Sequence, residues 1–166
     1  VGVTAVLERP PPRPRIEAQG SVAPTPSPET RRTAALSVLR QWDARRAAAW
    51  AGGDVPALRR LYTRGSEAGR RDVSMLRRWV DREWRVQGMQ MQILASTVVE
   101  ESAARVAVRV TDRLTGAVAV GRGRRVVLPG DGATTRQITL RRMAGEWRVA
   151  AVEPAPFSTA SISGGR

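Results

Sequence analysis

The segment Arg136 to Pro154 constrains the fold most. Gln137-Ile138-Thr139-Leu140-Arg141 alternates polar and apolar side chains, Trp147-Arg148-Val149 alternates again, and Met143-Ala144-Gly145-Glu146 supplies a short link containing glycine. A period of two sends successive side chains to opposite sheet faces. The segment therefore predicts a β-hairpin whose buried side carries Ile138, Leu140, Trp147 and Val149. The same alternation appears upstream. Met89, Met91 and Ile93 alternate with Gln90 and Gln92, and Ala104, Val106, Val108 and Val110 alternate with Arg105, Ala107, Arg109 and Thr111. A further strand is expected within Ala117 to Leu128, with Gly121-Arg122-Gly123 as a bulge or twist inside it.

Before Trp84 the period changes. Ala35, Val38, Leu39 and Trp42 fall at i, i+3, i+4 and i+7, one stripe of a helix running to about Trp50. Gly52-Gly53 ends it, and Asp54 is placed to cap a second, short helix with Pro56 in its first turn. A third helix is expected from about Ala68, with Val73, Leu76, Trp79 and Val80 on one side and Arg70, Arg71, Arg77, Arg78 and Arg82 on the other. Helices followed by an antiparallel meander make an α+β domain, three N-terminal helices packed on a curved antiparallel sheet, over residues 30–155. Residues 1–29 precede it as a tether holding seven of the eleven prolines, and residues 156–166 follow as a loose Ser/Gly-rich tail. The tether reads as an extended polyproline spacer reaching up to roughly 60 Å, in preference to a PxxP ligand through Pro11 and Pro14. A membrane anchor lost before Val1 is a further expectation, and with it a tethered, extracytoplasmic location. A cytoplasmic one stays open.

The 166 residues contain no Lys, Asn, His or Cys, and the net charge of +13 rests entirely on arginine. Lys and Asn have AT-rich codons, so a GC-rich bacterial genome accounts for part of the arginine excess. The absent types exclude chemistries: no thiolate nucleophile, disulfide or Cys-based zinc site, no His triad or His metal site, and no Schiff-base or P-loop lysine. No metal and no cofactor is expected.

The helix around Ala35 to Trp50, the short Asp54-Val-Pro-Ala-Leu-Arg-Arg-Leu-Tyr62 helix and the final Gly145-Glu-Trp-Arg-Val-Ala-Ala-Val152 strand resemble the nuclear transport factor 2-like superfamily, which includes polyketide-cyclase-like domains. The resemblance spans about residues 30 to 153. It implies a cone, a curved sheet wrapped around a long helix, with a pocket at the open end and dimerisation through the sheet. Members include enzymes and non-catalytic binding modules, so the resemblance alone leaves function open.

Three groups of residues are candidates. Asp112 shares the parity of Val106, Val108 and Val110, so a raised-pKa Asp112 with Tyr62 as hydrogen-bond donor makes a minimal proton-transfer site. The reading preferred over it pairs Asp112 with an arginine at the sheet edge and leaves the Tyr62 hydroxyl wet. Trp84 and Met91 are the large side chains expected to reach a ligand pocket. Arg105, Arg109, Arg113, Arg141 and Arg148 fall on the outer sheet face, suited to carboxylate or phosphate groups. That face has no aromatic side chains for stacking bases. The expectation is a non-enzymatic binding or assembly module working through a protein partner or a homodimer at the sheet face. A polyketide-cyclase-like ligand site is the alternative, and nucleic acid or anionic lipid binding the second.

Overall fold

The computed structural model describes residues 25–155, so the expected anchor, most of the expected proline tether and the expected tail lie outside the described residues. The first helix, α1 (Pro28–Gly52), begins at Ser27, whose hydroxyl accepts from the Thr30 amide, and it closes at Gly53. Its contact stripe, Ala35, Leu39, Trp42, Ala49 and Trp50, is buried. Asp54 caps α2 (Val55–Arg60) by accepting from the Ala57 amide. Ser66 caps α3 (Glu67–Asp81) through the Gly69 amide.

Seven strands follow: β1 (Trp84–Gln87), β2 (Gln90–Glu101), β3 (Arg105–Thr115), β4 (Val118–Gly121), β5 (Arg124–Val127), β6 (Thr134–Met143) and β7 (Glu146–Pro154). All pair antiparallel, in the orders β2-β3-β6-β7 and β1-β4-β5. The two sheets are one ladder bent at a glycine pair. Gln90 faces Thr115 on one side of the bend and Gln87 faces Val118 on the other. A Cβ on Gly88 would sit 2.7 Å from the Gly116 carbonyl oxygen, and one on Gly116 would sit 2.8 Å from that of Gly88. Both have positive φ. Only glycine allows the strands to approach and turn there.

The resulting sheet is curved, and the helices lie on one face of it, giving the expected α+β architecture. The core joins Leu39, Leu58 and Leu76 from the helices to Val108, Val110, Leu140 and Val149 from the strands. The β6–β7 hairpin turns at Ala144 and Gly145, both with positive φ, as a two-residue turn of the right hand for twisted strands requires.

One expectation is corrected. Gly121-Arg122-Gly123 is neither bulge nor twist: Arg122 (φ 49°) and Gly123 (φ 71°) form a tight turn, and β5 folds back on β4. Arginine at the first turn position hides the turn, because asparagine or aspartate is the usual signal there.

Candidate functional site

Two charged residues occupy apolar stripes. On α1, Arg46 lies one turn after Trp42 and one before Trp50. On α3, Asp72 sits among the buried Gly69, Val73 and Leu76. They meet. Arg46 donates to both Asp72 carboxylate oxygens, Nε to Oδ2 and Nη2 to Oδ1, each at 2.7 Å. The Tyr62 hydroxyl donates to Oδ2 at 2.7 Å and the Trp50 indole N–H to Oδ1 at 3.2 Å. Asp72 is thus satisfied by three side chains, as a buried carboxylate must be. Trp42 closes the cluster, with its ring edge-on to Tyr62 at 5.4 Å and its N–H donating to the Leu61 carbonyl at 2.8 Å. Burial first, then the Asp72 charge, pushes the Tyr62 phenol far above its ordinary value. Burial alone would lower the Arg46 pKa, but the hydrogen bond and charge of Asp72 outweigh it and hold the guanidinium protonated.

This cluster forms one wall of a cleft of about 640 Å³ inside the curve of the sheet. Asp43 of α1, Met91 of β2, Leu114 of β3 and Arg136 of β6 face it from other sides. Burial raises the Asp43 carboxyl to a pKa of about 6, against the lowering effect of Arg46 and Arg136 and with a further push from Asp112. Asp112 lies beneath the cleft, 2% exposed, and accepts from Arg136 at 2.8 Å. Its other oxygen, Oδ1, and the Arg136 Nε are buried without a hydrogen-bond partner among the described residues.

The opposite face of the four-stranded sheet carries the arginines. Arg105 pairs in register with Arg141, and Arg141 with Arg148, so three arginines form one row across β3, β6 and β7. Arg109, opposite Gln137, stands two rows away, and Arg113 donates to Gln92 at 2.7 Å. Between the Arg105 and Arg109 rows lies a floor of small residues, with Ala107 1% and Thr139 7% exposed. The helices pack against the other face and do not supply this cover. The Nε atoms of Arg105, Arg109 and Arg148 are shielded from solvent, as stems lying down on the sheet would leave them. Glu100 lies 3.0 Å from Arg105, and Glu146 3.6 Å from Arg148.

The geometry separates the residues singled out from the sequence. Met91 lines the cleft. Trp84 does not, because the bend at Gly88 carries β1 away and sets the Trp84 ring over Gly121. Asp112 and Tyr62 are not partners: Tyr62 is committed to Asp72 and Asp112 to Arg136. The Tyr62 hydroxyl is buried, not wet, and the Asp112 ion pair lies under interior strands instead of at a sheet edge. The sequence marks Arg46 and Asp72 only as charges that break an apolar stripe, and it marks Asp43 not at all. Among the described residues no group of three or more Asp or Glu is placed to hold a metal ion.

The sequence matches no family model and no curated protein. Solved structures do resemble it. A protein of unknown function from Mycobacterium tuberculosis superposes with a TM-score of 0.50 at 12% identity, over 78% of this chain and 75% of that one. A protein from Catenulispora acidiphila gives 0.50 at 13%, over 75% and 92%. An NTF2-like protein with a cystatin-like fold from Novosphingobium aromaticivorans gives 0.43 at 17%, over 80% and 88%. At such identities the likeness is one of fold.

Proposed function

We propose that the chain is a non-enzymatic binding or assembly module of the nuclear transport factor 2-like superfamily that docks an acidic protein on the outer face of its four-stranded sheet. The observation that carries this reading is the row Arg105–Arg141–Arg148, set by strand register on a face the helices leave open. The Arg105 and Arg148 side chains have their Nε atoms shielded against the sheet, so less of their side-chain freedom remains to be lost on binding. Carboxylates on a partner meet guanidinium forks in bidentate geometry. A second copy fits this face less well, because a twofold contact sets the same positive surplus against itself. Against catalysis, Tyr62 and Asp112 are each held by a structural partner. Among the described residues no helix is long and apolar enough to cross a membrane.

The test is affinity capture with the wild-type domain and an Arg109→Glu/Arg141→Glu variant, followed by reconstitution with the purified candidate. The reading expects an acidic protein that binds the wild type and loses at least about tenfold in affinity to the variant. Equal binding by both proteins contradicts it.

One observation favours a second reading. The cleft is open, and its Asp43 carboxyl, with a pKa of about 6, is matched to proton transfer near neutrality. A small polar ligand in the cleft would make the chain a carrier or an enzyme of the polyketide-cyclase kind, and Asp43→Asn would abolish its turnover.

A further inference from the structure

We propose that the groove between α2, α3 and the edge of β7 binds a compact ligand carrying two or more phosphate groups. The groove arises because the chain after α2 runs alongside β7: the Val149 amide donates to the Leu61 carbonyl at 2.9 Å, and the Thr63 amide donates to the Val149 carbonyl at 3.0 Å. α3 then starts beside this junction. A groove of about 470 Å³ is left, and Arg59, Arg60, Arg64, Arg70, Arg77 and Arg148 line it.

Among the described residues no carboxylate lines this groove, whereas five line the cleft inside the sheet. Glu67, the acid in the first turn of α3, pairs instead with Arg71 and faces that cleft. Among the described residues Arg59, Arg60, Arg64, Arg70 and Arg77 form no ion pair. Like charges brought together without counter-charge hold a positive potential in a concave site and raise the local concentration of anions.

Charge density selects the ligand class. Five guanidinium groups without an ion pair around so small a volume, with Arg148 already beside Glu146, exceed what one or two carboxylates neutralise, whereas a pyrophosphate or triphosphate group supplies several charges and matches the guanidinium fork. The volume is that of a small-molecule site. Its floor offers Val73 and Tyr62 to an organic part, and Ser74 and Thr63 contribute hydroxyl groups. Arg70, Ser74 and Arg77 follow one face of α3 at i, i+4 and i+7, and the positive end of that helix dipole lies at the same place. The groove shares only Arg148 with the sheet face and stands whether or not that face docks a protein.

The test titrates the full chain with inorganic tripolyphosphate by calorimetry at low salt, using an Arg64→Glu/Arg77→Glu variant. An Arg31→Glu/Arg125→Glu variant serves as control, because it makes the same charge change at exposed positions outside the groove. Saturable one-to-one binding is expected, weakened at least about tenfold in the groove variant and no more than about threefold in the control. Equal losses in the two variants would mean diffuse attraction to a basic surface and overturn the proposal, as would the absence of saturable binding. A second arm distinguishes the source of the phosphate. Sedimentation with phosphoinositide vesicles that tripolyphosphate competes away assigns it to a lipid headgroup. Tripolyphosphate binding without vesicle binding assigns it to a free ligand.

Discussion

Replacing Asp72 by alanine removes the acceptor for three buried donors at once. Arg46 loses both 2.7 Å hydrogen bonds, Tyr62 loses the partner of its hydroxyl, and Trp50 loses the acceptor for its N–H. The Arg46 side chain is 22% exposed and Asp72 8%, so water replaces little of what is lost. Breaking a buried pair from one side costs about 3–5 kcal/mol, chiefly because an uncompensated charge remains. Set against a total of roughly 5–15 kcal/mol for a domain, that is a large share. Urea unfolding followed by tryptophan fluorescence reads it directly, as a lower midpoint at unchanged slope. A double-mutant cycle with Arg46→Met sharpens the result. Once the arginine is gone the carboxylate no longer neutralises a charge, so the double variant should lose at least about 1 kcal/mol less than the two single losses together. A loss below about 1 kcal/mol for Asp72→Ala, or strict additivity, refutes the idea that this pair organises the helices.

Three further outcomes follow from the same geometry. Asp43 has a folded pKa of about 6 against an ordinary 3.8, so the folded chain binds more protons and stability falls as pH rises from about 4 to about 6. Asp43→Asn should flatten that slope and add up to about 3 kcal/mol at pH 7, and a denaturation series whose pH slope the variant leaves unchanged contradicts it. Tyr62 is the only tyrosine, so the absorbance change on phenolate formation reports it alone. Its raised pKa predicts that stability falls once pH passes about 10, with phenolate appearing only on unfolding, and ionisation of the folded chain near that value would disagree. Gly88→Val forces a side chain into positive φ and against the Gly116 carbonyl oxygen, and should cost about 1–3 kcal/mol. An unchanged melting temperature would mean that the sheet does not need this bend.

The hairpin, the helix stripes and the outward arginines were legible because a single period governs each of them. Ile138, Leu140 and Val149 are buried while Arg141 is exposed, as alternation requires. The β4–β5 turn was hidden because Arg122 holds a left-handed backbone that its side chain does not advertise. The bend at Gly88 and Gly116 depends on two residues distant in sequence meeting across a ladder, and no local pattern reports that. The Arg46–Asp72 pair was obscured by composition. In a chain where every cation is arginine, one more on a helix looks like surface, and only its place between Trp42 and Trp50 marks it as buried. The groove of six arginines likewise draws on α2, α3 and β7, and becomes one site only when Val149 pairs with Leu61 and Thr63.

The outer sheet face is the surface on which we propose that this domain meets its partner. A photo-crosslinking amino acid placed in turn at Gln137 on that face and at Met91 in the cleft tests it in the intact cell. A crosslinked product is expected at position 137, through an acidic segment of another protein, that disappears in the Arg109→Glu/Arg141→Glu background. Crosslinking at position 91 alone, or to a second copy of this chain through position 137, would contradict it.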